Sequence, residues 1–335
     1  MMNKTQLFER LIKGEQIEKT LFSPILMHFA ARYAGKTYGE FASDHEVLVQ
    51  ANVKALEDFD IDMVSLISDP YRETAAFGAP VEFRDEEVPR CSDLVISNVD
   101  DIENLTIPDV FKHERTLDRI RGAEAFRSTL RNKVPIIGWI EGPLAEACDL
   151  AGVSEMLMML MMEPGASSLL LDKCVEMAKG FAKAQIDAGC QIIGMGDAVC
   201  SQIDPGTYDA FVRDRHADII SFIHDCGGLV KLHICGNITH LLPSIQEINA
   251  DIIDLDWQVN MDDARSILGD QVVLCGNINP VLIQDLTVDE VYSLSKDLVN
   301  SQNNKRFILS AGCEITVNTK PEKLLAMRKA SDISK

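Results

Sequence analysis

Residues 191–237 read QIIGMGDAVCSQIDPGTYDAFVRDRHADIISFIHDCGGLVKLHICGN, and this stretch decides the fold. A short apolar run (QIIGM) leads into a helical pattern over 205–225, and a second apolar run (GLVKL) follows at once. Strand, crossover helix, strand is the unit of a parallel sheet. The second run ends on His233, Ile234 and Cys235, so chemistry-bearing side chains stand where a strand gives way to a loop.

The same alternation recurs on both sides. The expected strands are 24–29 (PILMHF), 63–67 (MVSLI), 134–140 (VPIIGWI), 191–195 (QIIGM), 228–232 (GLVKL), 251–255 (DIIDL), 271–274 (QVVL) and 306–309 (RFIL). Between most of them lie amphipathic segments long enough for a crossover helix, such as 205–225 and 288–301. Eight repeats over 335 residues predict an α/β fold closed into a single (β/α)8 barrel, residues 1–335, with an N-terminal helix over 1–20. An open doubly wound sheet is the structural competitor. The segment RDEEVPRCSDLVISNVDD after the second strand is an excursion, read as a hairpin beside the barrel.

Composition narrows the functions. Lys and Arg number 32 against 52 Asp and Glu, a net charge of −20, which repels nucleic acid and anionic membranes. No apolar run reaches the roughly 18 residues that span a bilayer, and the N-terminus shows no signal-peptide core. A cytoplasmic protein is expected. The nine cysteines are scattered and odd in number, which favours reduced thiols over a disulfide framework.

A barrel carries its chemistry at the carboxyl ends of its strands. Those slots hold His28, Ser68 with Asp69, Glu141, Asp197, His233, Asp256, Asn277 and Cys313. His233 and Cys235 are two apart at a strand end and point to one side. With Cys313 in SAGCEI they make an imidazole and two thiolates, a natural zinc set with one position left open. The plainer reading is a buried cysteine serving as a small hydrophobe.

The chain also resembles the uroporphyrinogen decarboxylase superfamily, and within it the corrinoid methyltransferases. The matching pieces are DPYRETAAFGAPVEF (69–83), GPLAEACDLAG (142–152), GMGDAVCSQIDPGTYDAFV (194–212), KLHICGN (231–237), LDWQVNMDDAR (255–265), LCGNINP (274–280), SAGCEI (310–315) and TKPEKLLAM (319–327). His233, Cys235 and Cys313 match the zinc signature of the methylcobalamin:coenzyme M type. The decarboxylases instead carry an Arg-rich N-terminal motif for porphyrinogen carboxylates, where this chain reads PILMHFAARYAGKTY with only Arg32.

The resemblance implies Zn2+ as cofactor and methylcobalamin or another corrinoid, free or on a corrinoid protein, as methyl-carrying co-substrate. The methyl acceptor would be a small-molecule thiol such as coenzyme M. Asp256 is expected as a fourth zinc ligand, or as an acceptor of loop amide bonds. Asp197 and Asn277 are expected to line the pocket in catalytic positions, or to cap loops. His28 and Asn237 are assigned to cofactor binding, with a satisfied core histidine as the other reading of His28. The run MLMMLMM (156–162) reads as core packing, or as a soft docking face. Three alternatives keep the fold: tetrahydrofolate as acceptor or a methylated donor loading the corrinoid, a uroporphyrinogen decarboxylase, and a non-catalytic metal- or corrinoid-binding barrel.

Overall fold

Strands β1 (Leu21–Phe22), β2 (Val64–Ser65), β3 (Ile136–Glu141), β4 (Ile192–Gly196), β5 (Leu229–Ile234), β6 (Ile252–Leu255), β7 (Val273–Ile278) and β8 (Phe307–Ala311) form one parallel sheet. The computed structural model describes residues 2–302 and 305–332. From β2 the sheet runs through β3 to β8 in chain order and ends on β1. Asp62 brings β1 and β2 together. Its backbone N–H donates to the Phe22 carbonyl at 2.8 Å, and its carboxylate accepts from the Phe22 N–H at 2.9 Å. The result is a (β/α)8 barrel.

Seven of the eight expected strand regions overlap an observed strand; the first does not. PILMHF is buried throughout most of its length, yet β1 lies upstream of it and His28 opens the helix His28–Tyr33. Pro24 has no N–H for a ladder, and a short buried apolar run has no periodicity that separates strand from helix. The N-terminal helix is also shorter than expected. It covers Lys4–Ile12, opened by a capping box between Asn3 and Gln6. The chain turns at Gly14, whose φ of 74° belongs to the left-handed region.

Alternation along the strands separates two cores. Outward residues such as Ile136, Ile140, Val230 and Leu232 pack under the helices, while Ile137, Trp139, Ile192 and Ile252 face inward. Phe8 and Leu11 join the inward cluster, so the N-terminal helix closes the barrel floor. Gly194 lies beside the Trp139 ring, and any Cβ there would collide with it. Above this apolar floor the interior turns polar, with Lys231, Asp254 and Ser310 all buried.

A hairpin overlaps the start of the expected segment, Val81–Arg84 pairing antiparallel with Glu87–Cys91, while the end of that segment enters the helix Val99–Asn104. The segment 288–301 is the helix Val288–Ser301, and 205–225 divides into Pro205–Phe211 and Arg213–Asp225. The methionine run lies in the helix Val153–Met162. Met156 and Leu160 are buried, whereas Met158, Met161 and Met162 are exposed. Among the described residues no helix is long and apolar enough to cross a membrane.

Candidate metal centre

Inward-facing positions on β5 are Leu229, Lys231 and His233, and the next position of the same parity is Cys235, just past the strand. Gly236 follows with φ 95°, which turns the chain sharply away. Cys313 arrives from the loop after β8. His233 Nε2 is 3.0 Å from Cys235 Sγ, and Cys235 Sγ is 3.7 Å from Cys313 Sγ. One ligand atom from each of the three lies within 4.8 Å of the others.

A tetrahedral ion with sulfur at about 2.3 Å and nitrogen at about 2.0 Å requires an S–S edge of about 3.8 Å and an N–S edge of about 3.5 Å. The observed S–S spacing meets the first, and the N–S spacing needs only a small opening. The donor set therefore fits zinc.

Electrostatics agree with a ligand pair. Hydrogen bonds from Cys235 and His233 outweigh burial and hold the Cys313 thiol down at about 4, while the same contact and burial push Cys235 up. Burial would lower His233, but its bond to Cys313 and the Asp254 charge hold it above the usual histidine value. Glu314, next to Cys313, is pushed up to about 7 by burial and by the Cys313 charge, and accepts the His28 backbone N–H at 2.7 Å.

Other expected site residues fall in different places. Asp256 is buried beside the centre but lies outside the three-residue cluster, and one of its oxygens accepts the Gln258 N–H at 2.9 Å. Asn277, within β7, donates to the Asp256 and Val259 carbonyls at 3.1 and 2.7 Å and so ties down the loop 256–259. Asp197 does not line the mouth. Its carboxylate is wholly buried, accepting from the N–H groups of Leu144 and Ala145 at the start of the helix Pro143–Ala151 and pairing with His216 at 2.9 Å. Cys200 completes a second metal-capable trio there, but the other His216 nitrogen is taken by the Tyr208 hydroxyl at 3.0 Å. Both nitrogens are engaged, and this cluster is structural.

His28 stacks on Tyr38, ring centroids 4.8 Å apart, and its Nε2 lies 3.4 Å from Glu86. It sits on a helix N-terminus, not at a strand end. Asn237 is exposed and accepts from the Thr239 N–H at 3.0 Å.

The strand-end reading names Asp69 and Glu141 but misses their arginine partners and the Lys231–Asp254 pair, which together form a buried ionic network beside the centre. Arg72 is fully buried, donating to the Asp69 carbonyl and to Glu141 Oε1 at 2.7 Å. Arg115 pairs with the Asp69 carboxylate. Lys231 Nζ lies 2.9 Å from Asp254 Oδ2, although neither Asp254 carboxylate oxygen has an aligned hydrogen-bond donor. Alternation in DIIDLD carries a signal for Asp254, two before Asp256 on the same face; Arg72 opens the helix Arg72–Ala76, too short to show a periodic signal.

The uroporphyrinogen decarboxylase (URO-D) family model matches residues 3–332. The uroporphyrinogen decarboxylase of Dichelobacter nodosus (strain VCS1703A) is 25% identical, covering 98% of this chain and 97% of its own. That of Pseudoalteromonas atlantica is 27% identical over 85% and 82%. Among solved structures, a methyltransferase from Methanosarcina mazei superposes with a TM-score of 0.91 at 20% identity, covering 99% of both chains. A B12-independent methionine synthase from Shewanella sp. W3-18-1 gives 0.62 at 13% identity, covering 94% and 97%. These structural likenesses establish a shared barrel. By the family match over nearly its whole length, the chain belongs to the uroporphyrinogen decarboxylase family.

Proposed function

We propose that the protein is a zinc-dependent methyltransferase that moves a methyl group between a corrinoid and a thiol acceptor. One observation carries this reading: His233, Cys235 and Cys313 converge at the barrel mouth, although Cys313 is 78 positions from Cys235. The Methanosarcina mazei neighbour, a methyltransferase by description, supports it. When bound, zinc would hold the acceptor sulfur as a thiolate and the corrinoid would carry the methyl group.

The chain's own residues orient and shield. The Asp254 carbonyl, 3.1 Å from His233 Nδ1, fixes the ring so that Nε2 faces the two sulfurs, where it would serve as ligand. As thiolates, the two cysteine sulfurs would balance the charge of a bound divalent ion. Asn277 fixes the loop carrying Asp256 close to the centre. Ionising an ordinary thiol at neutral pH gains only about 30-fold, and part of that is lost as nucleophilicity falls with pKa. Positioning by the barrel mouth must therefore supply the larger share.

The curated relatives favour a second reading, a uroporphyrinogen decarboxylase needing no metal. A substrate with many carboxylates calls for uncommitted guanidinium groups. Arg72, Arg115 and Arg119 are each already paired with Glu141, Asp69 and Asp118. The deciding experiment measures zinc content together with methyl transfer from methylcobalamin to a panel of thiols and to tetrahydrofolate, with uroporphyrinogen as a parallel substrate. Zinc at one per chain with thiol methylation supports the proposal. Decarboxylation by metal-free protein overturns it, and bound zinc without methyl transfer to any acceptor points to a binding protein.

A further inference from the structure

Beneath the metal centre the barrel wall carries one more polar layer. Lys231 on β5, Asp254 on β6, Cys275 on β7 and Ser310 on β8 come from four successive strands, and all four are buried. Alternation along β5 sets Lys231 one inward step below His233, and strand register makes Asp254 the direct partner of His233. Asp254 therefore offers the imidazole two acceptors. Its carbonyl oxygen lies 3.1 Å from His233 Nδ1, and its carboxylate Oδ2 lies 3.5 Å from the same nitrogen.

The carboxylate has acceptor capacity to spare. Asp254 is 1% exposed, and neither of its carboxylate oxygens receives an aligned hydrogen bond. Lys231 Nζ approaches Oδ2 at 2.9 Å and supplies the counter-charge that lets a dehydrated carboxylate persist. Cys275, the partner of Asp254 on β7, offers only a weak thiol donor. Acceptor sites left unfilled on a buried carboxylate are costly, and the imidazole nitrogen stands ready to fill one.

Metal loading shifts the balance between the two acceptors. His233 Nε2 is 3.0 Å from Cys235 Sγ, closer than the edge of about 3.5 Å that a shared ion imposes, so the ring must move when the centre fills. With a divalent ion on Nε2 the ring also loses charge, and Nδ1–H becomes a stronger donor. A charged acceptor gains more from that than a neutral carbonyl does.

We propose that on zinc binding His233 passes its Nδ1–H bond from the Asp254 carbonyl to the Asp254 carboxylate, and that Asp254, its charge balanced by Lys231, is the positioning residue of the metal-bound imidazole. The inference rests on the zinc centre proposed above and is independent of which methyl donor or acceptor the protein uses.

The test is zinc affinity, measured by competition with a chromophoric chelator, in the wild type, in Asp254→Asn and in the double variant Lys231→Met/Asp254→Leu. Both variants should bind zinc about 10- to 100-fold more weakly than the wild type. The double variant strands no buried charge, so it carries the test if Asp254→Asn does not fold. A spectroscopic signature separates positioning from packing. In protein labelled with nitrogen-15 at histidine, the Nδ1 proton of His233 should lie further downfield in the zinc-loaded wild type than in zinc-loaded Asp254→Asn, and removing zinc should shrink that difference. Wild-type affinity in both variants, or one and the same Nδ1 proton position in the two loaded proteins, overturns the inference and leaves the metal centre standing. A wild-type protein that binds no zinc removes both.

Discussion

His233 Nδ1 lies 3.1 Å from the carbonyl oxygen of Asp254, the residue directly paired with it on the adjacent strand. A carbonyl can only accept, so Nδ1 carries a proton and Nε2 is turned toward the sulfurs, 3.0 Å from Cys235 Sγ. The backbone of β6 thereby selects the tautomer that a metal ligand requires.

Removal of either sulfur should empty the centre. Cys235→Ala and Cys313→Ala each leave two protein ligands, and zinc content after dialysis against a mild chelator should fall from about one per chain to near zero. Elemental analysis reads this directly. Zinc retained at full occupancy in both variants would refute the ligand assignment.

Lys231 and Asp254 form an ion pair in the barrel interior, 3% and 1% exposed. Lys231→Met or Asp254→Leu alone strands a buried charge and should cost about 3–5 kcal/mol in urea denaturation of the metal-free protein. The double variant should recover a large part of that loss, since two apolar side chains strand nothing. Additive losses would show that the pair is not coupled.

Asp197 acts through structure. Asp197→Ala orphans the Leu144 and Ala145 N–H groups and the His216 ring, and should lower stability by about 2–4 kcal/mol. Zinc content should stay at the wild-type level. Full stability combined with lost turnover would instead return Asp197 to a catalytic position.

Asp149 should make stability fall as pH rises from about 4 to 7. Asp149 is raised to about 7, by burial first and then by the Glu73 charge, so between about pH 4 and 7 the folded state binds a proton that the unfolded chain has released. Its favourable contribution is present at the low end of that window and is lost as pH passes 7. Glu141 and Glu146 act in the same direction. Asp149→Asn should flatten the profile and stabilise the protein at pH 8 by about 2–4 kcal/mol, read from denaturation midpoints across pH. An Asp149→Asn profile as steep as that of the wild type contradicts this.

Much of the site was legible because a strand repeats every two residues. That periodicity placed His233 and Cys235 on one face, and the same rule puts Asp254 below Asp256 on the neighbouring strand. It failed at His28, where PILMHF is buried whether extended or helical and the chain takes up a helix at its last residues. It was also silent at Arg72, which opens the short helix Arg72–Ala76 and is held by the Asp69 carbonyl and by Glu141, 69 positions away.

The sequence by itself determined the eightfold strand–helix alternation, the excess of acidic residues and the pair of ligands two positions apart, since each is a property of composition or of a single segment. Only the tertiary structure decided that Cys313 meets that pair, that Asp197 caps a helix, and that the arginines near the mouth are already matched by carboxylates. Those outcomes depend on strand register and barrel closure, which bring together residues that no local pattern relates.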